Sequence, residues 1–247
     1  MAAFTLTNGQ ILVGSFDASS FVGQFNQTSS ARMVPSKVWG GGGFGRQYPG
    51  DVDTTGSLSG EADYASGGIA AAFTPATLGT QQLISVQPQG GAAAGDASIF
   101  TRGLINMIAA PGGADGDLAA FDMAWTGDTA IVYGQVAAPL TARTATANGS
   151  VITMTGPTAT QKVYAGLHIT SVSGTTPSLT AKVQSATLAG FGSPTDRITS
   201  FTAANAAGWQ FASATGAITD GFWRFVFTIS GTTPSFTCMA VIGTAAI

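Results

Sequence analysis

A catalytic or metal-binding site needs side chains that titrate or ligate, and in 247 residues this chain has one histidine (His168), one cysteine (Cys238) and one glutamate (Glu61). His168 sits between Leu167 and Ile169 with no acid nearby in sequence. It reads as a satisfied or exposed strand histidine rather than a general base, which would need a proton-accepting partner. Cys238, between Thr237 and Met239, reads as a small buried hydrophobe. A single cysteine makes no intramolecular disulfide. No G-x-S-x-G nucleophile elbow occurs.

Other patterns dissolve on inspection. Gly40, Gly42 and Gly45 match the spacing of a dinucleotide fingerprint, but a run of four glycines matches it trivially, and no strand leads in and no helix follows. Asp51/Asp53 and Asp115/Asp117/Asp122 are the carboxylate clusters. Gly112–Asp117 resembles a glycine-aspartate calcium turn, but it occurs once and its fourth position is Asp, so a solvated Asx turn is expected instead. Trp209, Phe211, Phe222, Trp223, Phe225 and Phe227 concentrate aromatics near the C-terminus. Phe225, Phe227 and Ile229 alternate as a sandwich core does. Trp223 and Arg224 precede that face and are expected at the surface, as the weak candidates for a ligand site. No catalytic, cofactor-binding or metal-binding residue is assigned, and no enzymatic activity is expected.

Composition narrows the class further. Charged residues are 9% of the chain, against about a quarter in ordinary soluble domains, and net charge is −3. Such a surface is built of Ser, Thr, Gly, Ala, Gln and Asn, with part of it suited to burial against other subunits. The basic footprint that phosphate-backbone binding needs is absent. No run approaches the roughly 18–20 apolar residues of a bilayer-spanning helix, so no membrane insertion is expected. The opening MAAFTLTNGQ has neither a basic nor an apolar leader region, so synthesis in a cytoplasm is expected.

The elements are strands. Phe4–Thr7 and Gln10–Val13 flank Asn8-Gly9, which suits a two-residue type I′ hairpin. Strands are also expected over 21–30, 54–64, 82–88, 98–109, 118–125 and 129–136, with one short helix at Ile69–Leu78 that contains Pro75. Pro35–Asp51 reads as a glycine-rich loop carrying Trp39, Phe44, Arg46 and Tyr48. Its rings are too apolar to stay in water, so the loop is expected to dock on a neighbouring subunit.

Val172–Thr180 (VSGTTPSLT) recurs 57 residues later as Ile229–Thr237 (ISGTTPSFT), and each copy is expected to be a hairpin. Residues 1–160 carry five Lys/Arg against ten acids, and residues 161–247 four against two. A boundary near 150 follows, dividing domains 1–150 and 151–247, with Thr141–Gly149 as linker.

The segment FTLTNGQILVG (Phe4–Gly14), followed by Asp17–Val22 and then Ser57–Tyr64, resembles the opening of tail tube proteins of long-tailed bacteriophages, over roughly residues 1–140. The Pro35–Asp51 segment falls where those proteins carry an inter-subunit loop. The C-terminal part, with its Ser-Gly-Thr-Thr-Pro-Ser motifs and Phe222-Trp223-Arg224, looks like the β-sandwiches appended to phage tail and virion proteins. The resemblance implies an all-β fold: a tail-tube-like sandwich or barrel with one short helix, plus a C-terminal Ig-like or jelly-roll sandwich. It implies homo-oligomeric, hexameric rings in the virion tail, made in the host bacterial cytoplasm, contacting other tail proteins and conducting DNA without specific binding. The outward C-terminal domain would then meet a host-surface glycan. Two other classes stay open: a capsid decoration or other non-tube virion protein, and a glycan-binding module.

Overall fold

The computed structural model describes residues 9–36, 46–109 and 119–246, and it is all-β. The strands are β1 (Gln10–Val13), β2 (Phe16–Asp17), β3 (Val22–Ser36), β4 (Arg46–Glu61), β5 (Gln81–Gln87), β6 (Ala97–Ala109), β7 (Ala120–Gly127), β8 (Val132–Arg143), β9 (Ala147–Asn148), β10 (Ile152–Thr153), β11 (Gln161–Ala186), β12 (Thr195–Ile198), β13 (Gly208–Thr215) and β14 (Phe222–Ala246). One antiparallel path runs β12-β11-β14-β8-β6-β5-β1-β2, and β7, β4 and β3 branch from β6 in that order.

Strand alternation builds the first core. Phe121, Met123 and Trp125 of β7 face inward with Leu58 of β4, Ile105 of β6 and Ile84 and Val86 of β5. Gly56 and Gly103 leave room for the Trp125 ring, because a Cβ at either would lie 2.3 or 2.6 Å from it. The helix expected over Ile69–Leu78 is one α turn, α1 (Ile69–Ala72), then a 3-10 turn at Pro75–Thr77. The break falls at Phe73-Thr74 because the residue before a proline is driven out of the helical region. Phe73 instead buries its ring against Phe16 and Phe121.

β5 is buried on both faces, a run that reads as continuous rather than alternating. Ile84 and Val86 face the first core, while Leu83 faces a second cluster that joins Leu12, Phe100, Val132 and Val136 to Tyr164, Met239 and Val241. The sheet β1-β5-β6 is therefore a wall shared by the N-terminal and C-terminal regions. Thr141–Gly149 is not a free linker: Thr141, Ala142 and Arg143 pair with Cys238, Thr237 and Phe236, and Ala147 and Asn148 pair with Phe227 and Val226.

The repeats are not hairpins either. β11 and β14 run unbroken through them and pair with each other along nearly their whole length. Ser173 faces Ser235, Thr175 faces Thr232 and Ser178 faces Ser230, so the two copies meet about a local two-fold. The ladder slips register there, between Ser173 and Thr175 and between Thr175 and Ser178. Gly174 and Gly231 lie at φ +111° and +120°, and a Cβ on either would come within 2.7 Å of the other copy's carbonyls. Thr176 and Thr233 both sit at φ +47°, a strained region for β-branched residues. On either side of this joint the ribbon is buried, and Val163, Leu167, Phe236 and Ala240 from one arm share a cluster with Leu179, Val183, Phe225 and Phe227 from the other. The ribbon doubles over at the repeat and packs its arms together, as strands that switch layers do at a sandwich corner.

Candidate functional site

The residues singled out for chemistry are spent on structure. His168 is fully buried on β11, its Nδ1 2.6 Å from the Gly14 carbonyl and its Nε2 2.8 Å from Ser85 Oγ. A carbonyl only accepts, so Nδ1 carries the proton and Nε2 accepts from the Ser85 hydroxyl. Burial holds its pKa down to about 4, against the pull of the Gly14 carbonyl and the Asp17 charge. It is a neutral rivet between the C-terminal ribbon and the shared wall. Cys238 is buried in the β14 core, where burial pushes its thiol up against the opposing effect of Arg143. Among the described residues no three His, Cys, Asp or Glu side chains gather to hold a metal ion, and no helix is long and apolar enough to cross a membrane.

Trp223, expected at the surface, is fully buried and donates Nε1–H to the Met154 carbonyl at 3.0 Å. It falls two residues before Phe225 and so shares its inward face. Arg224 points to the other side. Its guanidinium lies 4.2 Å over the Phe191 ring and donates twice to Gln184 Oε1. A second network ties Asp220 to Ser185 and Arg197, and their hydrogen bonds hold its carboxyl below the usual range.

In the Pro35–Asp51 segment, expected as a loop, the described residues are strand: Pro35–Ser36 end β3, and Arg46–Asp51 begin β4. Arg46 pairs with Ser36 and Tyr48 with Val34. Trp39 and Phe44 lie outside the described residues, as do Phe4–Thr7 and Asp115/Asp117. β7 covers β4 only over Thr54–Glu61. From Ser30↔Asp53 to Ser36↔Arg46 the two strands have no third strand among the described residues, an arm of about 20 Å at the usual rise of 3.3 Å per residue.

At its root the arm faces the C-terminal region across a cleft of about 760 Å³, where Asp51 and Val52 oppose Lys162, Tyr164 and Phe211. Arg102 lies in that cleft, paired to Asp128 at 2.9 Å and stacked 5.5 Å over Phe211. The outward face of β3-β4-β7-β6 is of another kind. Over Val22–Ala31, Thr55–Glu61, Leu104–Ala109 and Ala120–Thr126 it carries Glu61 and Asp122 and not one lysine or arginine.

No protein-family model matches the chain, and no curated protein matches it. Among solved structures it is similar to a chain of the sheath–tube complex of an extracellular contractile injection system, at 11% identity and TM-score 0.42, over 54% of this chain and 93% of that one. It is similar to a chain of the native gene transfer agent virion, at 14% identity and TM-score 0.41, over 53% and 98%. The SPP1 Dit protein, described as a paradigm of the hub adsorption apparatus in Gram-positive infecting phages, aligns over 96% of this chain and 99% of its own at 9% identity and TM-score 0.37. Likenesses this loose carry no information on activity or partners.

Sequence reasoning placed a strand over 21–30 but missed its continuation to Ser36 and its pairing there with Arg46–Asp53.

Proposed function

We propose that the chain is a structural, non-enzymatic subunit of a phage tail that assembles with copies of itself, and that the β3–β4 arm is its joint. The arm carries this reading. A two-stranded ribbon is marginal in water by itself, and this one extends past its covering strand with Val52 62% exposed. A neighbouring subunit supplies the cover, with Trp39, Phe44, Arg46 and Tyr48 as the contact residues.

In the finer reading, residues 1–150 form hexameric rings that stack into a conduit in the virion tail, beside other tail proteins. The part of β3-β4-β7-β6 that carries no lysine or arginine, Val22–Ala31, Thr55–Glu61, Leu104–Ala109 and Ala120–Thr126, lines it, because a channel that passes DNA must not release its counterions and grip it. Residues 151–247 project outward, where a host-surface glycan is the candidate ligand.

Negative-stain microscopy and mass photometry of the purified protein test this. Rings or tubes are expected, and replacing Ala31–Asp51 by a short turn is expected to leave a folded monomer. Regular rings from the armless variant, or a wild-type protein that stays monomeric at every concentration, would reject the arm as joint.

A further inference from the structure

We infer that the cleft at the root of the arm binds a neutral saccharide; this names the site and the ligand class for the proposed glycan role of residues 151–247, and rests on that reading. The cleft has a volume of about 760 Å³, within the range that holds a small ligand (about 300–1,000 Å³). Its floor comes from β11 and β13. Lys162 and Tyr164 are two apart on β11, and Phe211 and Ser213 two apart on β13, so each pair shares a face. Tyr164 stands directly across from Ser213, which puts all four on one side of the sheet. The Tyr164 and Phe211 rings stack with centroids 5.7 Å apart and planes at 30°. The same face of β11 continues through Gly166 to His168, where the ribbon is bonded to Ser85 and the Gly14 carbonyl. The floor is therefore fixed at its inner end, as a site on paired strands should be.

The walls add polar groups of both signs. Arg102 and Asp128 are paired at 2.9 Å, and Gln81 donates to the same carboxylate at 2.7 Å. Groups already held in place cost little further ordering when a ligand arrives. Asp51 stands on the arm side of the cleft and Lys162 on the other.

Charge decides the class of ligand. Asp51 and Asp128 balance Arg102 and Lys162, so the lining is formally neutral. A cleft focuses a field on an ion only when its walls share one sign, so neither a phosphorylated nor a cationic ligand is favoured. A wholly apolar ligand would strip water from these four charges and return no hydrogen bonds. A neutral sugar meets both demands. Its hydroxyls donate to the carboxylates and accept from Arg102, Lys162 and the hydroxyls of Tyr164 and Ser213, while its C–H face packs on the ring pair.

A printed array of neutral and acidic glycans, followed by titration of the neutral oligosaccharides it retains, tests this on the full chain, with mass photometry recording the oligomeric state of each variant. The wild type is expected to bind neutral oligosaccharides. Lys162→Met and Asp51→Ala each alter one side of the cleft outside the buried core. Each is expected to weaken binding about tenfold, the order of one lost hydrogen bond to a charged group. Unchanged affinity in either variant would overturn the cleft as the site and leave the glycan role of the C-terminal region standing. Retention of acidic glycans alone would overturn the neutral class. Retention of no glycan at all would reject this inference and the glycan reading together.

Discussion

Two long antiparallel ribbons meet opposite fates in this molecule. β11 and β14 bend at the repeat and bury their arms against each other, so that Phe225, Phe227 and Phe236 are wholly shielded. β3 and β4 are also long, yet beyond Thr54 they run out with no third strand among the described residues. The difference is one of composition. The first ribbon carries large apolar side chains on one face of both arms, so doubling over removes them from water. The outer part of the second, Ser30–Ser36 against Arg46–Asp53, intersperses Met33, Val34, Tyr48 and Val52 with polar and charged residues, and among the described residues no second layer lies on it.

The contrast can be broken most forcefully on the buried side. Phe225→Ala removes a ring packed 5.8 Å from Phe201 and 5.9 Å from Phe227 and is expected to cost about 3–5 kcal/mol in urea denaturation. A loss under about 1 kcal/mol, the size of an ordinary surface change, would mean the arms do not pack as described.

Next in size is the pH response of the rivet. The folded pKa of His168, about 4, lies below its ordinary 6.5. As pH falls through 6.5 the unfolded chain binds a proton that the folded one refuses. Stability is therefore flat above 6.5 and is lost between about 6.5 and 4, by on the order of 3 kcal/mol. His168→Gln is expected to flatten that limb in urea midpoints taken from pH 7.5 to 4.5. Asp220 titrates separately: its depressed pKa places its loss at more acidic pH.

Gly231→Ala forces a Cβ onto a backbone at φ +120° and against the Thr176 carbonyl. It is expected to cost at least about 1–2 kcal/mol, and thermal denaturation beside Gly190→Ala, where a Cβ meets nothing within 4 Å, isolates the joint. The smallest effect belongs to the arm: Val52→Ser is expected to change monomer stability by under about 0.5 kcal/mol while weakening oligomers in mass photometry. A large monomer loss would show that the arm is covered within its own chain.

β6 and β7 were legible from alternation, and β5 from a continuous strand-forming run set between Gly79 and Gly90. The long ribbons were not. Ser-Gly-Thr-Thr-Pro is turn chemistry, and the same residues that close a hairpin also permit a slipped, sharply bent ladder. Only the partner strand decides which occurs, and here it lies 57 residues away. Trp223 was readable, since it continues the Phe225/Phe227 period. The continuation of β3 to Ser36 was not, because its pairing with β4 is a fact about neighbours rather than about the strand's own residues.

The joint between the repeats has a consequence for recognition. Across it Ser173 meets Ser235 and Ser230 meets Ser178, while Val172 meets Phe236 and Ile229 meets Leu179. One motif thus reads a copy of itself, and the joint is a palindrome in protein form. Only its ends, Val172 with Phe236 and Ile229 with Leu179, tell β14 from a second β11. Fidelity has to come from the flanking arms, where Val183 meets Phe225 and Leu167 meets Ala240. When the chain folds among crowded copies of itself, those arms keep each ribbon with its own strands.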